Sequence, residues 1–152
     1  MIYSIVFECK TEDDTKKLAQ QFARLAKKGD VFALYGTLGM GKSVFARSFI
    51  QYLTGVDDVP SPTFTLVQDY QSDDFEIFHF DLYRLEHPDE VFELGFEDST
   101  FNGVCLIEWP EKAGNWLPKD VFKIDIIPLD DGRKITISVN SDDKKNRLET
   151  VK

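Results

Sequence analysis

Apolar positions along the chain follow two rhythms. Residues 2–7 form a short run rich in β-branched and aromatic side chains, which predicts a strand. Thr11 with Asp14 three positions later reads as a capping-box variant. Leu18, Phe22 and Leu25 then recur at spacings of four and three, predicting an amphipathic helix ended by Gly29. Val31, Phe32, Ala33, Leu34 and Tyr35 are continuously apolar, as in a parallel-sheet strand buried on both faces. A glycine-rich loop follows, and a helix opens near Lys42. Val44, Phe45, Ser48, Phe49 and Leu53 form its buried stripe and Gly55 closes it.

Pro60 and Pro62 make the next connection extended. Residues 63–70 and 75–82 are β-patterned around Gln71-Ser72-Asp73-Asp74 and predict a hairpin. Pro88 opens a short helix. Residues 103–107 predict another buried strand, ending at Glu108. Asn115-Trp116-Leu117-Pro118 reads as a connection. Residues 121–127 and 134–139 predict a last hairpin around Asp130-Asp131-Gly132. The chain thus reads as one domain over 1–140 with a polar, frayed tail over 141–152.

Size agrees with a single domain: 152 residues can bury a sizeable core without staples. Hydrophobic residues make up 42%, a globular composition, and no apolar run approaches the ~20 residues that span a bilayer. The first residues carry neither a basic segment nor a small-residue cleavage site, so no signal peptide is expected. Cys9 and Cys105 suggest no disulfide framework and read as reduced thiols of a cytoplasmic protein. The net charge of −9 argues against nucleic-acid or anionic-membrane binding by the bulk surface.

Gly36-Thr37-Leu38-Gly39-Met40-Gly41-Lys42-Ser43 matches G-x-x-x-x-G-K-[ST] at every fixed position. Glycines let successive backbone N–H groups turn inward around a phosphate, and the helix N-terminus adds partial positive charge. Lys42 is expected on the β- and γ-phosphates of ATP or ADP, Ser43 on Mg²⁺, and Val44 next to them in the helix's first turn. Glu108, a carboxylate ending an apolar strand, is the expected second metal acid, because ligands of open α/β sheets lie at the carboxyl ends of strands. The expected fold is α/β: a single-domain P-loop NTPase with a mixed, mostly parallel central sheet flanked by helices and extended by antiparallel hairpins. The chain lacks an N-K-x-D guanine-reading motif and, after Glu108, an arginine cluster suited to a kinase lid. A compact ATPase remains, with a non-hydrolysing nucleotide-dependent binding module or a small-molecule kinase as alternatives.

Three further strings accompany the loop: Ser61-Pro62-Thr63-Phe64-Thr65, His79-Phe80-Asp81-Leu82-Tyr83-Arg84 and Glu108-Trp109-Pro110-Glu111-Lys112. Together, from about Tyr35 to Trp116, the chain resembles the TsaE (YjeE) family, small ATPases of bacterial tRNA threonylcarbamoyladenosine biosynthesis. The resemblance implies weak ATP hydrolysis alone and action with the proteins TsaB and TsaD, with tRNA reached through these partners. It implies that Lys42 and Ser43 keep their phosphate and metal roles, with Glu108 a Mg²⁺ ligand and Asp81 the catalytic carboxylate. It places Thr63 in a switch-like segment beside the γ-phosphate, makes Trp109 an anchor of the site or of a partner surface, and makes Thr11 a contact near the nucleotide base. Ser43 stands where many members carry Thr, with the same hydroxyl. His79 alternates with Asp81 and Tyr83 and reads as a satisfied core histidine, and Tyr83 with Arg84 as a surface pair or a partner contact.

The charge is local. Residues 69–98 hold eleven acids against one base, Arg84, whereas the rest holds sixteen acids against seventeen bases. Such a segment is either a solvated face or, through Glu90 and Glu93, a docking surface for a basic partner patch.

Overall fold

The computed structural model describes residues 2–36 and 41–151. Seven strands form one sheet: β1 (Tyr3–Cys9), β2 (Val31–Tyr35), β3 (Val67–Gln71), β4 (Glu76–Asp81), β5 (Gly103–Glu108), β6 (Phe122–Leu129) and β7 (Gly132–Val139), in the order β1-β7-β6-β2-β5-β4-β3. The central strands β6, β2, β5 and β4 run parallel. Antiparallel pairings flank them, β3 on β4 at one edge and β7 with β1 at the other. This is the mixed, hairpin-extended α/β sheet expected from the sequence. Helices α1 (Glu12–Leu25), α2 (Lys42–Thr54), α3 (Phe96–Asn102) and α4 (Asp142–Leu148) complete the domain with two 3₁₀ segments, Pro88–Leu94 and Pro110–Trp116.

Strand alternation decides what each face carries. Phe32, Leu34, Ile77, Val104 and Leu106 point to the side covered by α1 and α2 and pack with Phe22, Phe45 and Phe49. Cys105, Ile107, Phe80 and Val31 point to the other side and pack with Leu85, Val91, Phe96 and Ala113. The first core is aromatic: the Phe32 and Phe122 rings stack at 4.8 Å, and Phe22 meets Phe32 edge-on at 6.1 Å. The same parity turns His79 and Asp81 of β4, and Glu108 of β5, toward α2. Register then sets Asp81 directly opposite Glu108.

Both cysteines are free and buried, and burial pushes the Cys105 thiol well above its ordinary range. Among the described residues no helix is long and apolar enough to cross a membrane.

The structure corrects three sequence expectations. Residues 63–66 are a turn, not the start of a strand: Leu66 adopts φ 70° and its N–H bonds the Pro62 carbonyl at 2.6 Å. Helix α1 stops at Leu25, before Gly29, because the chain turns extended at Ala26. The tail expected to fray is α4. Ser141 caps it, Leu148 and Val151 enter the aromatic core, and Arg147 forms an ion pair with buried Asp30 while donating to the Leu25 carbonyl at 2.7 Å. Its stability is tertiary, so the local polarity of the segment misleads.

Candidate functional site

The parallel strands β2, β4 and β5 end at the same edge, where α2 begins. Gly41 is the N-cap of α2, in the left-handed region at φ 96°, and offers no side-chain cap. No acid stands in the first turn of α2. By contrast, α1 has a complete Thr11–Asp14 capping box and three acids in its first turn. The first amides of α2 thus have no side-chain cap from Gly41, and the helix's partial positive charge stands behind them.

Around that terminus lies a cleft of about 280 Å³ lined by Gly41, Lys42, Ser43, Val44, Arg47, Ser61, Thr63, Asp81, Glu108 and Trp109. Lys42 is buried, and its Nζ donates to the Gly36 carbonyl at 2.9 Å and sits 3.7 Å from the centre of the Trp109 ring. Burial pulls its pKa below the ordinary lysine value, opposed by the nearby Glu108, Glu111 and Asp81 carboxylates. Neither of these two partners of the ammonium is an anion. Gly36 is required sterically as well: a Cβ there would come within 2.8 Å of the Ile126 carbonyl. Thr37, Leu38, Gly39 and Met40, the remaining expected loop contacts, lie outside the described residues.

Two carboxylates face this terminus. Glu108 is 4% exposed; Ser43 donates to its Oε1 at 3.4 Å, and its Oε2 lies 2.7 Å from His79 Nε2. Asp81 is 6% exposed; it accepts from the Thr63 hydroxyl at 3.0 Å and the Tyr83 N–H at 3.0 Å. Ser61 extends this chain, its hydroxyl 2.7 Å from that of Thr63. Among the described residues, two non-glycines hold positive φ, and both adjoin the site. Leu66 accepts from the Asp81 N–H with its carbonyl, and Trp109, at φ 59°, follows Glu108 directly. The left-handed turn at Trp109 lays its indole across Lys42 and against the Tyr83 ring at 4.9 Å.

The structure therefore gathers Lys42, Ser43, Val44, Thr63, Asp81, Glu108 and Trp109 around one cleft. Tyr83 borders it through Trp109. Arg84 lies over the exposed Phe64 ring at 5.2 Å. Thr11 stands outside the lining: its hydroxyl accepts from the Asp14 N–H at 3.1 Å. Its carbonyl accepts from Arg133 at 3.5 Å, and Arg133 in turn passes within 3.5 Å of where a Cβ on Gly41 would lie. The Glu90 carboxylate is a local cap, accepting the Glu86 and His87 N–H groups at 2.7 Å, and these bonds hold its pKa below the ordinary value. Glu93 is exposed on the same 3₁₀ segment.

Sequence reasoning missed Arg133, Arg47 and the contact that His79 makes. Arg133 lies on the far hairpin and reaches the loop only through tertiary structure. His79 has the core burial expected of it, yet one ring nitrogen bonds Glu108 and Nδ1 has no partner. Its alternation with Asp81 was the available signal, since it places both on the face toward α2.

The family model for the threonylcarbamoyl adenosine biosynthesis protein TsaE matches residues 9–135. The tRNA threonylcarbamoyladenosine biosynthesis protein TsaE of Rickettsia conorii is 38% identical, over 92% of this chain and 80% of that protein. The protein of the same name from Bacillus subtilis is 38% identical, over 83% of this chain and 80% of its own length. The crystal structure of YdiB from Bacillus subtilis superposes with a TM-score of 0.81 at 30% identity, covering 99% of this chain and 95% of that one. A matched family model spanning most of the chain, near-full-length relatives and the same three-dimensional fold agree: this chain belongs to the TsaE family.

Proposed function

We propose that this chain binds magnesium-ATP at the N-terminus of α2 and hydrolyses it in support of tRNA threonylcarbamoyladenosine formation, acting in the cytoplasm with TsaB and TsaD. One observation carries the reading: the Glu108 and Asp81 carboxylates end adjacent parallel strands, in register, and face an uncapped helix terminus that bears Lys42 and Ser43. The names of the relatives support the pathway.

Each residue then has a defined task. The amides at Gly41–Val44 and the Lys42 ammonium hold phosphate oxygens. The lysine exchanges a carbonyl and a ring face for charge-assisted bonds. The Ser43 hydroxyl and one Glu108 oxygen are adjacent hard donors, a set that fits magnesium, which keeps several waters and takes few protein ligands. The metal, when bound, supplies neutralisation of charge on the β- and γ-phosphate oxygens. Asp81 has both oxygens oriented by donors, Thr63 and the Tyr83 amide, so its remaining lone pairs are fixed in direction and can orient an attacking water. Arg133, whose side chain passes within 3.5 Å of where a Cβ on Gly41 would lie, adds a cation near the start of α2. Tyr83, Arg84, Phe64 and Trp109 form a partly exposed aromatic and basic rim at the cleft, suited to a partner that senses nucleotide. Glu90 and Glu93 each offer a charge for a basic patch, Glu90 with one oxygen, Oε2, also held by the Glu86 and His87 amides.

The test is inorganic phosphate release with and without TsaB and TsaD. Release that rises with the partners and disappears in Asp81→Asn supports the reading. Tight nucleotide binding without phosphate release under either condition replaces it with a binding module, and phosphate found on an acceptor replaces it with a kinase.

A further inference from the structure

We propose that His79 is a positioning residue that fixes which oxygen of Glu108 faces the cleft; the inference rests on the reading of Glu108 and Ser43 as the magnesium donors. His79 is 1% exposed and Glu108 4%, so neither is oriented by solvent. In the parallel β4–β5 pair, His79 is opposite Leu106 and Asp81 opposite Glu108. His79 is therefore the diagonal neighbour of Glu108 on the face toward α2. A carboxylate only accepts, so the 2.7 Å contact has His79 Nε2 donating to Glu108 Oε2. Oε1 is left toward Ser43, whose hydroxyl lies 3.4 Å away.

Two features set this contact apart from core filling. First, Nδ1 is buried with no hydrogen-bond partner among the described residues, a polar atom that an apolar side chain of similar size would not bring into the core. Among the described residues the imidazole makes one hydrogen bond, and that bond goes to Glu108. Secondly, the terminal torsion of a glutamate is soft and nearly two-fold, so the backbone alone does not choose which oxygen it presents. The His79 bond occupies Oε2 and makes that choice, and it satisfies a buried carboxylate whose other hydrogen bond among the described residues comes from Ser43.

Glutamine and asparagine at position 79 separate positioning from packing. The amide nitrogen of Gln reaches the place of Nε2, whereas that of Asn reaches only the place of Nδ1. The measurement is Mn²⁺ binding to the full chain with ADP present, read by electron paramagnetic resonance, beside ADP binding in EDTA and thermal melting. His79→Asn is expected to weaken Mn²⁺ binding about tenfold or more, the usual effect of losing a partner behind a metal ligand. His79→Gln is expected to stay close to wild type, and metal-free ADP affinity to be the same in all three. Equal Mn²⁺ affinity in the Asn and Gln variants, or equal loss in both, overturns the proposal. Glu108→Gln tells the two levels apart. If it weakens Mn²⁺ binding while His79→Asn does not, the positioning role alone is wrong. If it leaves Mn²⁺ binding intact, the metal reading of Glu108 is wrong and the role of His79 falls with it.

Discussion

The two ends of the parallel sheet use buried charge in opposite ways. At the end where β2 begins, Asp30 is 4% exposed and closed off: the Arg147 guanidinium pairs with it through two nitrogens, and the Lys27 N–H donates to it at 2.8 Å. Nearby, Ser141 caps α4 and two acids fill its first turn. At the end where β4 and β5 finish, Lys42, Asp81 and Glu108 are equally buried, yet no ion pair joins Lys42 to either acid, and the N-terminus of α2 has no side-chain cap. Charges that pair with each other hold a structure together; charges held apart beside an open helix end are available to a ligand. The first arrangement stabilises this fold, and the second is the proposed site.

That contrast can be broken from either side. The largest effect is expected at the closed end: Arg147→Leu leaves Asp30 as an uncompensated buried charge and costs about 3–5 kcal/mol of stability by denaturant unfolding. Nucleotide affinity of the folded fraction is unaffected. At the open end the pattern inverts. Lys42→Ala leaves the melting temperature near wild type but weakens ATP binding by about 2–3 kcal/mol, roughly a hundredfold in Kd by calorimetry. Ser43→Ala, which keeps the helix and removes the hydroxyl proposed to face the metal, is expected to weaken magnesium-dependent nucleotide binding about tenfold and to leave metal-free binding unchanged. The smallest effect returns to the closed end, where Ser141→Ala removes the α4 cap for about 1 kcal/mol of stability with no change in nucleotide binding.

The same contrast explains what was legible in the sequence. The open end is written locally. The glycine spacing, the Lys42-Ser43 pair and an acid ending an apolar strand are short-range signals, and β2, β5 and the start of α2 fall where they point. Asp81 was legible for the same reason, closing an apolar alternation. The closed end was illegible because its partners are distant in sequence: Arg147 meets Asp30 across 117 positions, and without that contact residues 141–151 read as a polar tail. His79 and Arg133 belong to the same class, since their meaning depends on strand register and on the return of the far hairpin. The turn at residues 63–66 misled for a different reason. Its threonines and Phe64 favour strands, but Pro62 and the left-handed Leu66 bend the chain so that the Leu66 carbonyl and the Thr63 hydroxyl hold Asp81.

The central claim is that the uncapped terminus of α2 is the phosphate seat. Titrating magnesium-ADP into ¹⁵N-labelled protein and following backbone amide resonances tests it directly. The account predicts that the largest shift changes fall on the amides of Gly41, Lys42, Ser43 and Val44, saturating with one equivalent of nucleotide, while Asp142, Asp143 and Lys144 at the capped end of α4 stay in place. Saturable binding that leaves the Gly41–Val44 amides unmoved would contradict it.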